Sequence, residues 1–347
     1  MLHVQDSPYI KSLHYDNADS FITAISHKGE LYELFDNRFI FRGHSTDKYE
    51  LLPSALRGYL AFDDSRIFGP QYEKDKDLYC YLATTESVQV KVEYKLLQDF
   101  FNTCDKNGLY VPHIESLRNS FYPGVDGEIL LMKGKWLPKR YWELAALAQH
   151  HGVKTRLLDW TYDIFVALYF ATTGVYFDPK GKVDFLQAYK AYRRGEEYPP
   201  KHDMEIWALN IDVVLTKPID MPLHIIQPRY YKNDNLCAQK GLFTFWETIY
   251  PGMEGKDGKP DLKSQTDRRA LDEQLDSYLK EIGAQERPFL YRITIPQDAA
   301  SNIFSHIEKL GYNASTMFPG YYGVARYLKE HREIHQTIKQ AKLKDNN

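Results

Sequence analysis

The chain has 347 residues, 43% hydrophobic and 26% charged, enough apolar content for a substantial core in one large domain or a core domain with appendages. Its 44 Lys plus Arg against 47 Asp plus Glu give a formal net charge of −3, which removes the bulk electrostatic case for binding duplex nucleic acid. No apolar run spans a bilayer and the first 17 residues lack a secretory pattern, so a cytoplasmic protein with no membrane partner is expected.

In chain order, apolar residues recur at helical spacing in the first 35 residues (Phe21, Ile22, Ile25, Leu31, Leu34), read as an N-terminal helical extension. The alternating run at 38–43 predicts a strand ending in a turn at Gly43, and residues 86–104 predict an amphipathic helix. A helix is expected over 140–151, stopping at Gly152, and a second over the apolar run after Asp163, with Asp163 as N-cap and Gly174 as its end. Residues 178–202 form a polar insertion, read as a loop or mobile lid, and 251–266 a charged Gly/Pro-rich loop. Strands are expected at 204–211, 222–227, 241–247 and 289–296, and helices at 268–282, at 301–310 and in a charged tail over 327–347. The irregular alternation predicts an α+β fold, a mixed or antiparallel sheet with flanking helices, the main domain covering 36–326. Neither GxGxxG nor a P-loop occurs.

Three stretches carry candidate chemistry. Arg42 at a strand end beside Gly43 could present its planar fork to a phosphate, or pair structurally with an acid such as Asp159. In Gln149-His150-His151-Gly152, a neutral imidazole could act as donor or base, or a histidine could simply cap the helix. No third ligand lies nearby at a metal spacing, so no metal is expected there, and three well-separated cysteines (Cys80, Cys104, Cys237) exclude a Cys-based zinc site. In the segment Thr155 to Thr161, Arg156 and Asp159 could hold a loop and Trp160 could serve as a stacking wall, with Asp159 favoured in a structural role. Aromatic residues make up 14% of the chain, which fits ordinary packing or walls around a flat ligand such as a nucleotide.

The blocks at 41–57, 147–171, 235–246 and 317–326 together resemble the FRG domain family, named for the triplet that stands here as Phe41-Arg42-Gly43. Their order also resembles, more distantly, the ADP-ribosyltransferase plan. That likeness implies an NAD-dependent transferase or NAD hydrolase with an unidentified macromolecular acceptor, in a toxin or phage-defence setting. It places Arg42 on the pyrophosphate or ribose and His150 or His151, with Thr155 or Thr161, at the nucleoside, and counts Gly43, Gln149, Arg156 and Asn235 among the cofactor-binding residues. Trp160 or a tyrosine would stack on nicotinamide, and Gln239 would take the place of the glutamate that holds the ribose. Gln239 carries no charge with which to stabilise a cationic sugar, and Glu247 would lie roughly 25 Å along a continuous strand. Either another carboxylate serves, or the domain binds a nucleotide-type ligand, or a protein, without turning it over.

Overall fold

The computed structural model describes residues 7–58, 84–118, 134–177, 202–215, 221–231, 233–250 and 264–345, with side chains as far as 336. The 178–202 insertion, His202 apart, and most of the 251–266 loop lie outside the described residues. The strands are β1 (Ile10–His14), β2 (Phe39–His44), β3 (Gly134–Trp136), β4 (Leu158–Thr161), β5 (Asp203–Asn210), β6 (Leu223–Ile226), β7 (Gly241–Trp246), β8 (Thr248–Tyr250) and β9 (Leu290–Pro296). The helices are α1 (Ala18–Ile25), α2 (Glu30–Leu34), α3 (Glu86–Lys106), α4 (Glu115–Arg118), α5 (Trp142–His150), α6 (Ile164–Phe177), α7 (Asp234–Ala238), α8 (Leu271–Glu281), α9 (Ala300–Lys309), α10 (Ala314–Met317) and α11 (Tyr321–Asp345).

Seven strands form one mixed sheet in the order β1-β9-β5-β2-β4-β7-β6, and β3 pairs with β8 in a second, small sheet. Every neighbouring pair is antiparallel except β1 with β9, which is parallel. This is the expected α+β class. Strand β1 stands where a helical pattern is expected. Ile10 is buried and its backbone pairs with Leu290, so a distant partner overrides the local spacing.

Alternation along the strands splits the core by face. Phe39 and Phe41 of β2 turn toward α6 and α9, in a cluster with Val166, Leu168, Ile303 and Phe304. Ile40, Leu158, Trp160 and Leu242 turn to the other face, in a cluster with Leu271, Leu275 and Leu279 of α8. Phe243 and Phe245 of β7 join a third cluster, built from α3 and α5. The first and third clusters therefore flank β4, whose remaining side chains, Asp159 and Thr161, are polar.

Helix α6 is apolar on nearly every side and buried along most of its length, Phe170 being its exposed residue among those described. Asp163 caps it, its Oδ1 accepting from Phe165 N at 2.9 Å. The helix runs past Gly174 to Phe177, correcting the expected stop. A β-carbon at Gly174 would stand 2.7 Å from Ser45 Cβ, so this glycine serves a close contact instead. Helix α11 is fastened over α6 by the buried Glu330, which accepts from Tyr169 Oη at 2.9 Å and Arg326 Nε at 2.6 Å.

Candidate functional site

Between the two clusters that flank β4 lies a cavity of about 400 Å³. Arg42, Gly43, Gln149, His150, Trp160, Thr161, Asn235 and Gln239 all border it, so residues from three distant stretches of chain meet around one void. Asp159, Phe170, Phe243 and Phe318 border it as well.

Local strand geometry explains the polar end. The ladder between β2 and β4 consists of the single pair Phe41–Thr161. Beside it, Arg42 Nη1 donates to the Asp159 carbonyl at 2.8 Å and lies 3.5 Å from the Asp159 carboxylate. Arg42 Nε donates to His44 Nε2 at 3.0 Å. The Arg42 side chain is only 15% exposed, and burial pulls its pKa down, with Asp159 opposing that shift. Asp159 is 57% exposed and turned to the cavity side. Its carboxylate also accepts from Gln149 Nε2, at 3.2 and 3.3 Å.

Thr155 does not border the cavity. It is 4% exposed, and its hydroxyl donates to Gln149 Oε1 at 2.8 Å, fixing which way the amide points. The result is a chain from Thr155 through Gln149 to Asp159. His151 is likewise set apart, exposed as the C-cap of α5, with Gly152 at φ +86° directly behind it. His150 faces the cavity, and burial, followed by His151, lowers its pKa while Asp159 opposes the shift, so the neutral imidazole is favoured.

Arg156 belongs elsewhere. It is 4% exposed and points into α3, where Nε and Nη2 donate to the two oxygens of Glu93 at 2.7 and 2.8 Å and Nη2 to Glu86 at 3.0 Å. Glu93 is also held by Trp136 Nε1 and Gln89. Arg156 therefore does not join the residues around the first cavity. Trp160 needs a similar correction as a stacking wall. Its residue is 3% exposed, sits in the cluster with α8, and its indole donates to Thr244 Oγ1 at 2.8 Å, so the ring is held in the core. Phe41, Phe170, Phe243 and Phe318 supply aromatic lining, and the rings of Phe170 and Phe318 meet edge to face at 6.3 Å.

The far wall comes from α7 and the turn after it. Asn235 stands on α7, and Gln239 is that helix's C-cap, just before β7 rather than on a strand. Gln239 Nε2 donates to the Met317 carbonyl at 3.1 Å, and its own carbonyl accepts from Thr161 Oγ1 at 2.8 Å. Glu247 lies off the cavity, paired with Lys135 at 2.6 Å and His224 at 3.3 Å. Glycine at 43 is required by a neighbouring helix: a β-carbon there would stand 2.0 Å from the Ala167 carbonyl oxygen.

A second cavity of about 370 Å³ shares Arg42, Gly43 and Phe170 with the first and adds His44, Ser45, Tyr49 and Arg57. His44 is 4% exposed, and burial, reinforced by Arg42 and Arg57, drives its pKa well below 6.5. The two voids thus offer an aromatic-walled space with amide and carboxylate groups, and beside it a space bordered by two guanidinium groups. Sequence reasoning leaves out Phe170, Phe318 and Arg57 and places Asp159 in a structural role. Phe318 lies inside the quoted 317–326 block, but no local spacing ties it to Phe170.

Residues 127–176 match the family model of the FRG domain. The matched span includes α5, β4 and nearly all of α6, and so supplies Gln149, His150, Asp159, Thr161 and Phe170 to the cavity. No curated protein and no solved structure matches the chain.

Proposed function

We propose that the paired cavities bind a dinucleotide of the NAD type, and that the chain cleaves its nicotinamide–ribose bond. The observation carrying this reading is the placement of Asp159, the carboxylate among the residues bordering the first cavity, between Arg42 and Gln149. Arg42 and Arg57 attract the pyrophosphate oxygens. Phe170 and Phe318 enclose the nicotinamide ring, and Asn235 and Gln239 hydrogen-bond ribose hydroxyls. The bond from ribose C1′ to the nicotinamide nitrogen breaks and its electron pair leaves with nicotinamide. The Asp159 carboxylate stabilises the cationic sugar. Water, or a nucleophile of a macromolecular acceptor, then adds to C1′, and neutral His150 accepts the proton. Such chemistry suits a toxin or a phage-defence effector.

A second reading is binding without turnover. It is favoured by the neutral amide at Gln239 and by the two hydrogen-bond donors already on Asp159. One set of measurements separates the two. Calorimetry with ADP-ribose on the wild-type chain and on Asp159→Asn tests the site, and nicotinamide release from labelled NAD tests the chemistry. Turnover predicts a loss of about 10²–10³ in release for Asp159→Asn with ADP-ribose still bound. Binding with no release by the wild-type chain establishes the second reading, and no binding of NAD, ADP-ribose or AMP rejects both.

A further inference from the structure

We propose that Glu308, His331 and His335 form a binding site for a divalent transition-metal ion of the zinc class, clamping α11 onto α9. The site lies apart from the cavities and does not depend on their function. His331 and His335 are four residues apart on α11, which places both imidazoles on one face of the helix. Their ring centroids are 4.3 Å apart. Glu308, in the last turn of α9, reaches both: Oε1 lies 2.7 Å from His331 Nδ1 and Oε2 2.8 Å from His335 Nε2.

Two imidazoles and one carboxylate are a common protein ligand set for zinc, with a further position left to solvent. The three ligand atoms all lie within 4.8 Å of one another. Around a tetrahedral zinc with bonds of roughly 2.0–2.1 Å, neighbouring ligand atoms stand about 3.3 Å apart. Each carboxylate–imidazole contact, now 2.7 and 2.8 Å, therefore opens by about half an ångström to admit the ion. Exposure suits loading from solution: the His331, His335 and Glu308 side chains are 48%, 28% and 12% exposed. One carboxylate thus bridges two imidazoles whose planes are tilted by 50°. His150 and His151, by contrast, are adjacent in sequence at a helix end and have no such third partner among the described residues.

The test is calorimetric titration of the chelator-stripped full chain with ZnCl2, paired with the visible absorption of the CoCl2-loaded chain and thermal melting with and without ZnCl2. The expected result is one zinc per chain, a tetrahedral cobalt band, and a melting temperature raised by zinc. Glu308→Gln, which keeps the side chain's shape, should weaken zinc binding at least about tenfold and remove the melting shift, and His335→Ala should do the same. If His335→Ala fails to fold by circular dichroism, Glu308→Gln alone decides. No zinc bound to the wild-type chain, or equal binding by Glu308→Gln, overturns the proposal and leaves two carboxylate–imidazole hydrogen bonds as the whole contact.

Discussion

Arg156 and Asp159 stand three positions apart yet do opposite work. Arg156 is buried in ion pairs with Glu86 and Glu93, while the half-exposed Asp159 borders the cavity beside Arg42. Arg156→Ala would leave two acidic groups, each about 4% exposed, without their cation. A loss of about 3–5 kcal/mol is expected, measured by urea unfolding of the variant against wild type. A loss below about 1 kcal/mol would mean that the acids protonate or reach water on their own. The sequence shows the charges but not this division. Glu93 and Glu86 lie 63 and 70 positions before Arg156, and nothing local reveals that α3 packs over it. Trp160 misleads for a related reason: alternation along β4 turns it to the face opposite Asp159, and which face borders a cavity depends on the helices covering it.

Among the elements, those ruled by local chemistry are readable from sequence and those ruled by distant pairing are not. The periodic helix α3, α5 with Gly152 behind it, and α6 with Asp163 as cap follow from spacing and capping alone. Strands β3 and β8 hold three residues each and exist through each other, so no periodicity announces them. Gly43 lies between these cases, since the triplet is conspicuous but its reason is the approach of α6. Gly43→Ala forces β2 and α6 apart and is expected to cost about 1–3 kcal/mol. Thermal melting checks the stability loss, and ADP-ribose calorimetry should show weaker binding, because the same displacement moves Arg42. Unchanged melting would mean that the helix yields without strain.

Across the whole molecule, stability should carry the mark of His44. Its folded-state pKa lies well below 6.5, so as pH falls through 6.5 the unfolded chain takes up the proton first. Stability from this group is complete above 6.5 and declines as pH drops below it. Asp272, pushed up to about 6 by burial, acts oppositely: between 3.8 and 6 it favours the folded chain more as pH falls. The comparison that isolates His44 is the urea midpoint of His44→Gln against wild type from pH 7.5 to 5. Wild type should lose midpoint relative to the variant across that range, and a constant difference would show that folded His44 takes up the proton as readily as the unfolded chain. No helix among the described residues is long and apolar enough to cross a membrane.

The parallel union of Ile10 with Leu290 has a consequence for how the chain matures. A ribosome emits the β1 segment early, and its partner β9 emerges some 280 positions later. Until then β5 too lacks its neighbour on that side. Contacts this remote close late and slowly. Nascent chains stalled before residue 290 should therefore be digested readily by protease, and chains released past Pro296 should resist it.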